Sequence, residues 1–302
     1  MRRPIVFLTL LALIWGASFM LIKIADRQLA PATLIFGRIG LAAAALAVVA
    51  PKGTVSALRT NARWLVVVGL VNTAIPFWLL SWGETRIDSG LASILQASVP
   101  IFNALIAFVA FREVRVTGAR LVGVAVGFVG VALLVGAQPE GKIIGALAVV
   151  GMAACYALGG LLTRRHLTGV RPPVVAAGST LIAAIALVPA GVVQAPSELP
   201  GWKAIGSVVF LGLVGTALAY LIFFTLIASA GAHYVALVTY LVPPLALAYG
   251  AIFLGERFGA SAFGGLALIL GGVALGTGAL RPSRIRKRVG ARRAPEVESE
   301  QV

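Results

Sequence analysis

Ten apolar stretches, each long enough to cross a bilayer and divided by short charged links, run the length of this chain. A hydrocarbon core about 30 Å thick takes about 20 apolar residues in a helix. That ruler places spans near 5–25, 33–50, 64–83, 89–111, 117–136, 143–163, 173–193, 204–228, 233–254 and 261–280. In lipid, backbone N–H and C=O groups must find partners inside the protein, so stretches of this kind fold as helices. The narrowest links, Glu84 to Asp88 and Ala228 to Gly231, divide spans three from four and eight from nine. Charged residues make up 12% of the 302, against about 25% in soluble domains, so most of the surface is expected to face lipid. The N-terminal run after Arg2 and Arg3 has the look of a signal peptide, yet it is span-length and nine similar runs follow. It is expected to stay as the first span.

The net charge of +15 would suggest nucleic acid in a soluble protein, but its distribution points elsewhere. With the N-terminus inside, 18 of the 25 Lys and Arg fall in inner links and the tail, and six in outer links. Arg38 is the one cation well inside a span. That asymmetry follows the positive-inside rule and predicts two cytoplasmic termini and no nucleic-acid partner. The tail from Arg281, basic and then acidic at Glu296, Glu298 and Glu300, reads as disordered.

The chain also repeats itself. Pro100 precedes Glu113 by thirteen positions, as Pro243 precedes Glu256, at an offset of 143. Thr73-Ala74 matches Thr216-Ala217 at the same offset, and Gly130-Val131-Ala132-Leu133 matches Gly272-Val273-Ala274-Leu275. At an offset of 141, Trp15 falls on Tyr156, Lys23 on Arg164, Pro31 on Pro172 and Gly37 on Gly178. Spans 1–5 thus repeat as spans 6–10. Five is odd, so the halves enter the membrane in opposite senses, an arrangement many transporters use. The expected fold is all-α, a polytopic membrane protein of ten transmembrane helices in two inverted five-helix repeats. Residues 1–137 form the first repeat, 138–280 the second and 281–302 the tail.

Three stretches resemble a known family: Ile14-Trp15-Gly16-Ala17-Ser18-Phe19, Gly215-Thr216-Ala217-Leu218-Ala219-Tyr220, and Thr239-Tyr240-Leu241-Val242-Pro243-Pro244 leading to Leu254-Gly255-Glu256-Arg257. They resemble the EamA-type branch of the drug/metabolite transporter superfamily, over roughly residues 5–280. The resemblance implies a ten-helix bundle around a central cavity and export of amino acids or related metabolites, with drugs, nucleosides or sugars as alternatives. It implies a bacterial inner-membrane location. One departure is Phe111-Arg112-Glu113, where the pattern favours Leu-Gly-Glu.

In an inverted repeat, paired Gly/Pro interruptions point to the binding site. Pro100 and Pro243 are such a pair, each freeing a carbonyl; a plain packing kink is the other reading. Trp15 and Tyr156 are repeat mates at mid-depth, where aromatic rings stack on a substrate or simply pack. Trp78, Tyr220 and Tyr240 extend that set. A buried charge like Arg38 needs a partner or water. It reads as an anchor for a carboxylate or phosphate, or as a structural arginine, and the family resemblance weighs toward the structural role. Asn72, Gln96 and Asn103 could bond a substrate or a neighbouring helix. Glu84 and Asp88 read as solvated loop carboxylates, with proton relay the alternative for Glu84. Glu113 and Glu256 read as helix caps or salt-bridge partners. Glycine strips at Gly123, Gly127, Gly130 and at Gly265, Gly272, Gly276 suit close helix packing, internal or in a homodimer.

Other function classes find little support. Gly136 to Gly141-Lys142 fits part of a phosphate loop, but Ile143 stands where Ser or Thr is required. His166 and His233 lie far apart, Cys155 is the lone cysteine, and no cluster has metal-ligand spacing. An enzyme is therefore not expected, nor a cofactor or metal. A channel would favour polar rings along a pore, and these spans are nearly free of charge. The expected partners are a small-molecule substrate and the lipid bilayer.

Overall fold

The structure, a computed structural model, describes residues 2–51, 53–110 and 118–277. The expectations for Arg112, Glu113, Arg115 and the tail from Arg281 lie outside those residues. All regular elements among the described residues are helical. In chain order they are α1 (Arg2–Ala25), α2 (Pro31–Val48), the short α3 (Thr54–Thr60), α4 (Ala62–Glu84), α5 (Ser89–Val109), α6 (Ala119–Gly136), α7 (Glu140–His166), α8 (Pro172–Val193), α9 (Trp202–Ala230), the single turn α10 (Ala232–Val235), α11 (Val238–Leu254) and α12 (Ala260–Thr277). Seven of them are long and apolar enough to cross a membrane. Three more are shorter apolar helices: Leu121–Gly136, Val238–Leu254 and Ala260–Gly276. Each expected span falls on one of these ten, with ends displaced by a few residues.

Local chemistry sets the boundaries. Pro31 and Pro172 open α2 and α8, where a missing N–H costs nothing because the first turn leaves it unpaired anyway. At the end of α11, Gly255 takes the left-handed conformation at φ 70°, which closes a helix without a Cβ clash.

Three stretches widen to π-helix: Leu70–Ala74 in α4, Leu213–Leu218 in α9 and Gly250–Leu254 in α11. The first two begin 143 positions apart, the offset already seen in the sequence. A π-turn adds a residue and re-aims the side chains beyond it, often at functional sites. Here it carries Asn72 and Thr73 in one helix, and Gly215 and Thr216 in the other.

Helices distant in the chain pair closely: α2 lies on α8, and α6 on α12. The glycine strips expected to serve internal packing or a dimer meet each other inside this second pair. A Cβ added at Gly272 would sit 2.6 Å from the Gly123 carbonyl oxygen and the Gly127 nitrogen. Backbones this close gain dispersion and Cα–H···O contacts that any side chain would remove. Many large apolar side chains, among them Val48, Val193 and Ile252, face outward from the bundle.

Candidate functional site

Between the helices lies one large cavity of about 900 Å³. Trp15, Ser18 and Phe19 of α1 line it, with Arg38 of α2 and Asn72, Phe77 and Leu80 of α4. From α5 come Ser93, Gln96 and Pro100, from α7 Tyr156, from α9 Tyr220 and Phe223, and from α11 Thr239 and Pro243. It runs along the α7–α8 turn, past Arg164, Thr168 and Pro172. At the opposite end Glu84, Ile87 and Ser89 are sealed from solvent.

Arg38 is 3% exposed. Its Nε donates to Thr216 Oγ1 at 3.0 Å, and its guanidinium lies 4.3 Å from the Phe77 ring centroid. Nη1 is buried and has no hydrogen-bond partner. So Nε is held by the bundle, Nη1 is left without a partner, and the residue as a whole lines the cavity. The hydroxyls of Tyr156 and Tyr220 lie within reach of its charge. Among the described residues, no acidic side chain lines the cavity.

Aromatic rings give the site its shape. Trp15 packs against Phe223 with centroids 5.8 Å apart, and Phe77 meets Tyr156 edge-on at 6.1 Å. Pro100 has no N–H to offer the Gln96 carbonyl, and Pro243 none for the Thr239 carbonyl. Gln96 and Thr239 both line the cavity.

Of the residues singled out in the sequence, Trp15, Arg38, Asn72, Gln96, Pro100, Tyr156, Tyr220 and Pro243 line this cavity, while Trp78 and Tyr240 do not. One residue is 100° of helix turn, so Phe77 and Thr239 face inward and their neighbours turn away. Trp78 stacks on Trp82 at 6.2 Å, and the buried Tyr240 hydroxyl is without a partner. Asn103 lies in a separate cavity of about 170 Å³ beside Gly272. The sequence did not mark out Phe77, Ser93 and Phe223, since an apolar or small residue inside a span carries no signal of its own.

Glu84 corrects its expectation. It is not a solvated loop carboxylate but fully buried, and neither carboxylate oxygen has a partner. Lys23 closes this end by donating to the main-chain carbonyls of Glu84 and Ile87, the latter at 2.8 Å. Beside it, the Ser81 hydroxyl donates to Asp26 Oδ1 at 2.8 Å, while Oδ2 is buried and unpaired. Burial pushes the Asp26 carboxyl up to about 7, against the opposing pull of the Ser81 bond and the Lys23 charge.

Glu256 proves to be a cap, and one that reaches across the halves. Its carboxylate accepts the Ser89 N–H at 2.8 Å, the Ser89 hydroxyl at 3.0 Å and the Gly90 N–H at 3.1 Å. Those N–H groups open α5 and have no partner inside the helix; a negative charge there also suits the helix dipole. Glu113 lies outside the described residues, so its expected cap has no counterpart here. Among the described residues no group of three His, Cys, Asp or Glu is placed to hold a metal ion.

Among the described residues, apolar helices surround a cavity lined by aromatic rings and one buried cation, the build of a multi-pass membrane protein. The sequence profile of the EamA-like transporter family matches residues 2–136 and again 143–277. The chain belongs to that family. A probable terminal-alkyne amino-acid exporter of Streptantibioticus cattleyicolor is 31% identical over 280 residues, covering 89% of this chain and 91% of that protein. A probable amino-acid metabolite efflux pump of Escherichia coli is 26% identical over 295 residues, covering 93% and 96%. A crystal structure with 20% sequence identity shares the fold at a TM-score of 0.65, covering 92% of this chain and 98% of its own.

Proposed function

We propose that this protein exports a small amino-acid-like metabolite by alternating access, with the carboxylate of the cargo held by Arg38. The observation that carries this reading is the buried guanidinium of Arg38, a cavity-lining residue whose Nη1 has no hydrogen-bond partner. A charge-assisted bond to a carboxylate would meet that donor, and arginine suits the geometry better than lysine. The α-ammonium of the same cargo would find the Gln96 and Thr239 carbonyls that Pro100 and Pro243 leave short of a donor. Trp15, Tyr156 and Tyr220 would flank an apolar or planar side chain. Names of the relatives support export and amino-acid-like cargo.

Two inverted repeats of five spans complete the reading. Its support is the double family match, the paired π-turns and the recurring offsets. The basic links support a reading with both termini in the cytoplasm of a bacterial inner membrane, in which the cavity opens inward, past Arg164. Rocking of the halves would open the Glu84 end in its turn.

The test is counterflow in proteoliposomes holding a panel of unlabelled L-amino acids, with sugars and nucleosides in parallel. Saturable uptake of a labelled amino acid, accelerated from the opposite side, is the expected result. Exchange of sugars or nucleosides alone would sink the carboxylate reading.

A further inference from the structure

Beyond Leu80, where the cavity ends on α4, the helix runs on through Ser81 to Glu84. Phe77, Ser81 and Glu84 follow the four- and three-residue spacing that stacks side chains on one side of a helix. The guanidinium of Arg38 lies over the first of them, Asp26 bonds the second, and the third carries a fully buried carboxyl with both oxygens unmet. The charged groups facing Glu84 are Asp26 and Lys23 from the end of α1 and its turn, Arg38 from α2 and Glu256 from the link after α11. Next to it, α7 brings Gly145 and Val149 against Gly83. Lys23 directs its ammonium to backbone carbonyls. An ionised carboxylate sealed from water without donors is costly, and a bound proton removes that cost.

We propose that Glu84 and Asp26 form a proton-binding site, loaded while this end of the bundle is closed and emptied when it opens to water. Nothing in the transport reading uses these two carboxyls. The closed end holds its proton more tightly than the open one, so by linkage acid favours closure and base favours opening. Two helical turns separate Glu84 from Phe77 and the guanidinium above it. A proton at one and an anion at the other therefore sense each other through charge. That arrangement would let proton movement drive, or be driven by, the cargo.

Infrared spectra of the purified full chain, titrated from acid to alkaline pH, test the site with no transported compound present. Failure here leaves the Arg38 reading standing. The expected wild-type spectrum contains a protonated carboxyl band that Glu84→Gln abolishes, and a titration near 7 that Asp26→Asn abolishes. Hydrogen exchange of the backbone at 84–90 supplies the conformational readout. After correction for the chemical pH dependence, acid should slow it in the wild type, and less in the Glu84→Gln and Asp26→Asn proteins, each of which keeps one of the two carboxyls. If Glu84→Gln misfolds, the Asp26→Asn protein carries both readouts alone. A spectrum with no band that depends on either residue, or exchange profiles that coincide in wild type and variants, overturns the proposal.

Discussion

Arg38 and Thr216 stand 178 positions apart and meet in the buried centre of the bundle, Nε to Oγ1 at 3.0 Å. The Thr216 hydroxyl donates a hydrogen bond to the Leu211 carbonyl, five residues back in α9. The threonine is thereby fixed as an acceptor toward α2, and it holds the guanidinium of the cavity-lining Arg38 in place. Replacing Thr216 by Val keeps the shape and strands a charged donor. That costs about 1–3 kcal/mol, read as a lower thermal midpoint in detergent, with Thr216→Ser close to wild type.

Substitution at Arg38 separates charge from geometry. Arg38→Lys keeps the cation and loses the planar fork; Arg38→Gln loses both. A charged hydrogen bond is worth about 1.5–3 kcal/mol, so Arg38→Gln should raise the apparent KM for a carboxylate cargo roughly ten- to hundredfold. Arg38→Lys should fall between the two in the same counterflow assay.

The stability of the protein should depend on pH through Asp26. Its folded carboxyl titrates near 7, well above the ordinary value of about 4, so the folded state binds the proton more tightly than the unfolded one. The contribution is fully present below about 4 and is lost as pH rises through 7, beyond which the curve is flat. Thermal midpoints across that window should decline in the wild type, and more shallowly in Asp26→Asn.

Glycine contact between α6 and α12 leaves no room for a side chain. Gly272→Val forces a methyl pair against the Gly123 carbonyl and the Gly127 backbone. Overpacking of this kind costs about 1–3 kcal/mol. The expected outcome is a lower thermal midpoint, whereas Gly160→Ala, with open space around its added Cβ, should be neutral.

Length and apolar composition made the helices legible before any coordinates. The links expected at Glu84 to Asp88 and at Ala228 to Gly231 do interrupt the helices, though the second is narrower than expected, at Gly231 alone. The proline pair and the mid-span arginine led to the cavity because each is too unfavourable in lipid to sit there unsupported. Trp78 and Tyr240 misled because a sequence shows that a residue lies at mid-depth but not which way its helix is turned. In α4 the π-turn at Leu70–Ala74 comes just before Trp78 and shifts its direction, which a residue count along a regular helix does not foresee. Burial of Glu84 was hidden for a similar reason. A carboxylate next to a link reads as solvated, and only the bridge from Lys23 across to the Glu84 and Ile87 carbonyls shuts water out. Glu256 was legible as a cap, though its target, 167 positions away at Ser89, was not.

The most direct test of the central claim compares an exported amino acid with its amide, identical except for the carboxylate. Both are offered in counterflow to wild-type and Arg38→Gln proteoliposomes. The expected result is that the wild type exchanges the acid and strongly disfavours the amide, and that the variant loses this preference. Equal exchange of acid and amide by the wild type would contradict the assignment of Arg38 as the carboxylate anchor.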